Sequence, residues 1–120
     1  GVLYAPVSSL EVTAAADPNY PCCTFRGKVM AIDASSGASQ WESYTVPDPA
    51  SKQGVTSVGT AILAPSGAPV WNSPTLDPDN NRLFFGSGEN YSSPADGNSD
   101  AIFAVRMDTG ERLWTRQIFS

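Results

Sequence analysis

Two stretches decide the fold: Gly27–Val46, GKVMAIDASSGASQWESYTV, and Asp100–Phe119, DAIFAVRMDTGERLWTRQIF. Both fit A-(I/V)-x-x-x-(S/T)-G-x-x-x-W, with Ala31, Ser36, Gly37 and Trp41 answered by Ala104, Thr109, Gly110 and Trp114 at a constant offset of 73 residues. A fixed offset of this kind marks a repeated structural unit. Each copy holds an alternating apolar run, a glycine able to take positive φ in a tight turn, and a second run carrying a large aromatic, which predicts a β-hairpin. Upstream lies a further strand in each case, Val2–Val7 (VLYAPV) before the first hairpin and Arg82–Gly86 (RLFFG) before the second. Another strand is expected around Val70–Leu76, ahead of the turn sequence DPDNN.

The organisation that follows is an all-β chain of antiparallel blades. Residues 1–46 form an incomplete, three-stranded blade that carries a Cys-Cys loop, and residues 47–120 form a four-stranded one. Repeated four-stranded antiparallel units are the signature of a β-propeller. The hairpin tryptophans, Trp41 and Trp114, are expected to pack between neighbouring blades rather than to hold a ligand. Because propellers have about four to eight blades, the remaining blades or other copies of the chain are expected as partners, since open strand edges invite association.

Composition narrows the function classes. Ten Gly, ten Pro and three Trp in 120 residues suit a turn-rich β domain. Seven basic residues against twelve acids, net charge −5, leave no basic stripe for phosphates, so no nucleic-acid partner is expected. No apolar run is long enough to span a membrane, and GVLYAPVSSL has no signal-peptide pattern, so a soluble chain is expected. The chain has no histidine, which removes His-activated nucleophiles and imidazole-based zinc sites. Acid–base work must fall to carboxylates, or a cofactor must carry the chemistry.

The only two cysteines are adjacent, in Pro21–Gly27, PCCTFRG. Cα atoms lie about 3.8 Å apart across a trans peptide, so a bond between such neighbours closes a small, strained ring. It constrains almost no chain entropy and is a poor global staple. Two readings stay open from the dipeptide alone: a pair of reduced thiols, or a rigid polarizable patch suited to a planar ligand.

The hairpin pattern A-x-D-x-x-(S/T)-G-x-x-x-W resembles the tryptophan-docking motif of the quinoprotein alcohol dehydrogenases, eight-bladed propellers that bind pyrroloquinoline quinone and calcium. The second copy departs from it, with Arg106 where the first has Asp33. CCTFRG, PVSSLE and PVWNSPTLDPDNNRLFFGSGENYSSP look like the polyvinyl alcohol dehydrogenase branch of that family. The resemblance covers nearly all of the chain and implies a partial propeller, roughly two blades of the eight-bladed type.

It also implies roles. Cys22 and Cys23 would form a vicinal disulfide covering one face of the quinone, in an oxidising compartment, so a periplasmic or secreted location is expected. Arg26, whose fork suits carboxylates, would contact the quinone. Ser87 and Gly88 would approach the cofactor through their backbone, and Glu89 would bind calcium with help from Asn90. Glu11, which follows its strand as Glu89 follows the equivalent one, would make a polar contact to the quinone, and Trp71 would lie near it. The aspartate base, the tryptophan on the other quinone face and a further calcium-binding asparagine of the family have no counterpart here, so no catalytic residue is assigned and the segment alone is expected to be inactive. The implied parent reaction oxidises a primary or secondary alcohol, such as polyvinyl alcohol, and passes electrons to a cytochrome. The rival readings are a non-catalytic propeller scaffold and a self-assembling structural chain.

Overall fold

The computed structural model describes residues 1–120. Nine strands, β1 (Val2–Val7), β2 (Lys28–Asp33), β3 (Ser39–Tyr44), β4 (Ser51–Val55), β5 (Ala61–Ala64), β6 (Thr75–Asp77), β7 (Arg82–Gly86), β8 (Ala101–Arg106) and β9 (Arg112–Gln117), are joined by loops and two single 3-10 turns, Glu11–Thr13 and Pro78–Asn80. They form antiparallel sheets in the orders β1-β2-β3, β4-β5 and β6-β7-β8-β9. The two repeat hairpins are β2-β3 and β8-β9, in matching register: Ala31 opposes Trp41, and Ala104 opposes Trp114.

The turns show why the glycines recur. Gly37 and Gly110 sit at φ +75° and +74°, in the left-handed region that a Cβ disfavours. The mismatch between Asp33 and Arg106 has a local explanation. Asp33 Oδ1 accepts from the Ser35 and Ser36 amides and the Ser36 hydroxyl, closing the first turn itself. In the second turn the carboxylate comes from Asp108, which Arg106 grips in a two-pronged ion pair (2.7 and 3.0 Å).

Two features depart from the sequence reading. The β4-β5 ribbon was not foreseen, because SKQGV lacks apolar alternation; its strand is stabilised by pairing and not by burial. The strand expected over Val70–Leu76 shortens to Thr75–Asp77. Pro69 and Pro74 have no N–H for a ladder, and the Asn72 amide takes the neighbouring strand's place instead, donating to Gly86 O (2.8 Å) and accepting from Gly86 N (3.2 Å).

The core lies between the two larger sheets. Val29 of the first, Leu83, Phe85, Ala101, Phe103 and Val105 of the second, and Val70 of the segment between β5 and β6 form one buried cluster, edged by Tyr4, Trp41 and Met107. Phe85 and Phe103 stack with centroids 5.2 Å apart. Fully burying side chains such as Phe103 and Leu83 stabilises by about 1.5–3 kcal/mol each. Trp41 docks across the junction: its Nε1 donates to Met107 O (3.1 Å), its ring covers Gly110, and the Tyr4 hydroxyl donates to the same carbonyl (3.3 Å). Arg112 ties the junction from the other side, donating to Tyr44 O (2.7 Å), Thr45 O (2.6 Å) and Asn98 Oδ1 (2.7 Å) while its guanidinium lies over Phe103.

Candidate functional site

The Cys-Cys loop is fixed before any ligand is considered. Ser9 Oγ accepts from the Glu11 amide, setting the 3-10 turn from which the Glu11 carboxylate reaches back to the loop. That carboxylate accepts from Phe25 N (2.8 Å), Thr24 N (3.1 Å) and the Tyr20 hydroxyl (3.0 Å). On the other side the loop joins the edge of β5, with Cys23 N donating to Leu63 O (3.0 Å) and Leu63 N to Cys22 O (2.7 Å). Between these clamps Cys22 and Cys23 form the vicinal disulfide. The intervening peptide is cis, with Cα atoms 3.0 Å apart, where the sequence reading assumed trans.

Of the pair, Cys23 is buried, whereas Cys22 faces a cleft of about 380 Å³ shared with Tyr20, Thr56, Ile62 and Tyr91. Tyr91 packs against Phe25 (centroids 5.9 Å apart) and donates its hydroxyl to Ser9 O (3.0 Å). Burial, assisted by the charges of Glu89 and Glu11, pushes its phenol up to about 12.

A second device was not legible as a site in the sequence. The buried segment Ser66–Val70 threads between the two blades as an inner cross-link. Gly67 N donates to Phe25 O (2.8 Å) and Gly67 O accepts from Gly27 N (2.8 Å); Ala68 N donates to Glu89 O (2.8 Å) and Tyr91 N to Ser66 O (3.0 Å). Gly67 thus bridges Arg26 on one side and Asn90 on the other. Its φ is +92°, and a Cβ there would stand 2.6 Å from Tyr91 N and 2.8 Å from Glu89 O. A Cβ at Gly27 would likewise collide with the Ala68 carbonyl. The available signal was SGAP, a glycine between small residues and prolines where backbones approach closely.

The structure distributes the expected site residues around this cross-link. Arg26 lies over the Tyr44 ring (3.9 Å) and donates through Nη1 to Pro47 O (2.8 Å) and Val46 O (3.3 Å), leaving Nε and Nη2 without a hydrogen bond. Gly88 donates to Pro69 O and accepts from Asp100 N, and Trp71, 58% exposed, lies against it. The Ser87 hydroxyl turns inward, donating to Asn98 O (2.6 Å) and accepting from Ala101 N (3.1 Å), so it closes the 98–101 loop. Glu89 is exposed with no ion pair or hydrogen bond on its carboxylate, and Asn90 donates to Ser92 O (3.1 Å) with its Oδ1 free. Glu89 and Asn90 line a separate concavity of about 550 Å³ with Asp100 and Ser99. Neither Arg26, Trp71 nor Glu89 lines the Cys22 cleft.

The donor chemistry can be set against the groups the resemblance implies. A calcium ion takes six to eight oxygens; the Glu89 carboxylate and Asn90 Oδ1 are of that kind, but no three acidic or metal-binding side chains converge. The chain supplies part of such a shell. For a planar polycarboxylate, the Cys22 edge has the chemistry of a stacking surface, and the two unbonded arms of Arg26, which lines a separate concavity with Lys28 and Tyr44, are charge-assisted donors.

Residues 8–120 match the family described as the glucose/ethanol/alcohol dehydrogenase PQQ β-propeller domain. A polyvinylalcohol dehydrogenase of Sphingopyxis sp. is 32% identical over 120 residues, 100% of this chain and 18% of that protein. One from Pseudomonas sp. is 30% identical over 118 residues, 98% of this chain and again 18% of the relative. Among solved structures, the quinohemoprotein alcohol dehydrogenase ADHIIG of Pseudomonas putida superposes with TM-score 0.57 at 30% identity, over 78% of this chain and 16% of that one. The chain therefore spans less than a fifth of the length of these relatives.

Proposed function

Since the chain belongs to the PQQ β-propeller domain family of the glucose, ethanol and alcohol dehydrogenases, we propose that it forms one wall of a pyrroloquinoline quinone site in an alcohol-oxidising propeller. The observation that carries this reading is the vicinal disulfide, clamped by Glu11 on one side and Leu63 on the other, with its Cys22 edge open to a cleft. A rigid flat edge of this kind meets a planar ring system at little entropic cost. Glu11 serves the site by positioning the loop, since its carboxylate is engaged by backbone amides.

Arg26 is the residue to meet a quinone carboxylate, because Tyr44 and the Val46 and Pro47 carbonyls hold its guanidinium while leaving two arms free. Trp71 and Gly88 present an aromatic and a bare backbone on the same side as the Ser66–Val70 cross-link. Glu89 and Asn90 would give calcium two of its oxygens, the rest coming from elsewhere in the propeller. Bound there, the quinone would supply a two-electron, two-proton acceptor for a primary or secondary alcohol, giving an aldehyde or ketone and the quinol. The likeness to polyvinylalcohol dehydrogenases supports a primary or secondary alcohol of the polyvinyl alcohol kind as the substrate class, and a cytochrome is proposed as the electron acceptor. The disulfide accords with a periplasmic or secreted location.

Equilibrium dialysis of pyrroloquinoline quinone against the chain, with and without calcium, tests this reading. Retention that falls about tenfold or more in C22S/C23S, together with a calcium effect absent from Glu89→Gln, is expected. Equal retention by wild type and both variants, or none above an unrelated protein, would overturn it.

A further inference from the structure

We propose that Ser92 is a positioning residue of the quinone wall, holding the Cys22–Cys23 loop and the Glu89–Asn90 pair in one rigid frame through the Leu63 carbonyl. This role rests on the quinone reading of the site.

Residues 89–92 run from one concavity to the other. Glu89 and Asn90 line the larger, whereas Tyr91 and Ser92 line the Cys22 cleft. The Ser66–Val70 segment holds this stretch by its backbone, with Ala68 N donating to Glu89 O (2.8 Å) and Tyr91 N to Ser66 O (3.0 Å). Asn90 Nδ2 donates to Ser92 O (3.1 Å), so the side chain whose Oδ1 could meet a metal also folds the stretch on itself.

At Ser92 a side chain crosses from this stretch toward the cysteine loop. Its hydroxyl donates to Leu63 O. The same carbonyl accepts from Cys23 N (3.0 Å), while Leu63 N donates to Cys22 O (2.7 Å). A carbonyl oxygen has two lone pairs, and here one serves each half of the site. The Ser92 proton is committed to a carbonyl, which has no proton to give, so in the pair of serines it is Ser66 that donates and Ser92 Oγ that accepts. Ser66 is 1% exposed, and a buried hydroxyl needs such a partner.

Tyr91 secures the Phe25 end of the loop, by stacking on that ring and by its bond to Ser9 O (3.0 Å). At the cysteine end the hydrogen-bonded link is Ser92. Cys22 Sγ lies 3.8 Å from Tyr91 O, but a disulfide sulfur has no proton to donate. Strand β5 cannot hold that end unaided. The β4-β5 ribbon pairs two strands alone and gives no residue to the buried core cluster, an arrangement that is marginal in water. Its bond from Thr56 Oγ1 to Pro18 O (2.9 Å) leads back to the cysteine-loop segment. Without the Ser92 bond, ribbon and loop would shift together relative to Glu89 and Asn90. A planar ligand stacked on the disulfide would then lose register with a cation on those oxygens.

Amide hydrogen exchange of the isotopically labelled 120-residue chain, followed by NMR without ligand, reads this frame residue by residue. In Ser92→Ala the Cys23 and Leu63 amides are expected to exchange about tenfold faster, as loss of one hydrogen bond with a buried donor left unpaired does. The β8 amides should exchange as in wild type. Ser92→Thr keeps the hydroxyl and should restore slow exchange, and Ser66→Ala, which leaves the Ser92 bond to Leu63 in place, should affect Cys23 less than Ser92→Ala. Retention of pyrroloquinoline quinone on dialysis should fall about threefold or more in S92A and recover in S92T. Cys23 exchange unchanged in S92A, acceleration spread evenly over all sheets, S92T behaving as S92A, or retention in S92A equal to that of a retaining wild type would each overturn the proposal. A wild type that retains no quinone, with Cys23 still loosened in S92A, would refute the quinone reading and not the hold of Ser92 on the loop.

Discussion

Adding one methyl group at Gly110 probes the blade junction, with Gly37 as a control built into the same chain. Both glycines adopt nearly the same left-handed backbone, φ +74° and +75°, so alanine costs each about 1–2 kcal/mol of conformational strain. Their surroundings differ. At Gly110 the new Cβ would stand 2.5 Å from Trp41 Cε3 and 2.7 Å from Cδ2, both within a ring fixed by its Nε1 bond to Met107 O. Moving the indole adds an overpacking cost of about 1–3 kcal/mol, and a lengthened indole hydrogen bond up to about 1 kcal/mol more. At Gly37 neither contribution exists. Gly110→Ala is therefore expected to destabilise by about 2–3 kcal/mol more than Gly37→Ala, a urea midpoint lower by about 1–2 M. Chemical denaturation followed by tryptophan emission measures both. In a Trp41→Leu background the excess should vanish, a coupling of about 2–3 kcal/mol. Equal destabilisation of the two alanine variants, within about 0.5 kcal/mol, would refute the claim that Trp41 is seated on Gly110.

Three further outcomes follow from the geometry. Arg112→Ala removes three charge-assisted bonds at the junction and should lower stability by about 3 kcal/mol, with Arg112→Lys restoring little because a single ammonium cannot span carbonyls that the fork reaches together; urea titration checks this. Asp108, held at about 2 by the Arg106 guanidinium and then by Asn81, lies below its ordinary value of 3.8. Its contribution is therefore full above pH 4 and lost as pH falls toward 2, and Asp108→Asn should flatten the acid limb of a thermal-melt series in that window. Tyr91, raised to about 12 from 10.0, stabilises fully below pH 10 and less as pH approaches 12; ultraviolet titration should show a phenol that ionises late and disappears in Tyr91→Phe.

Much of the architecture was legible because side-chain period and turn chemistry are local. The alternation in VMAID and AIFAV, the positive-φ glycines and the aromatics opposite Ala31 and Ala104 specify two hairpins, and β1 and β7 fall where the apolar runs VLYAPV and RLFFG lie. The β4-β5 ribbon escaped because its residues carry no apolar alternation, and the Val70–Leu76 strand was overextended because a side-chain amide, from Asn72, stands in for a ladder. For the site, the adjacency of Cys22 and Cys23 was visible, but the hold exerted on them by Glu11 and Leu63 was not, since those partners lie 11–41 residues away and nothing in their identity reveals it.

The sequence by itself determined that this is a β chain built on a 73-residue repeat, with a cysteine pair in the first unit and a glycine-rich strand exit in the second. Tertiary structure alone decided what each repeat faces. Trp41 and Trp114 are the same letter in the same motif, yet one is locked on Met107 and Gly110 and the other is open to solvent. Likewise Glu11 became a clamp and Arg26 a stacked cation with two free arms. Periodicity is encoded along the chain, but burial and hydrogen-bond satisfaction depend on which surfaces meet across it, and that is fixed only when the sheets pack.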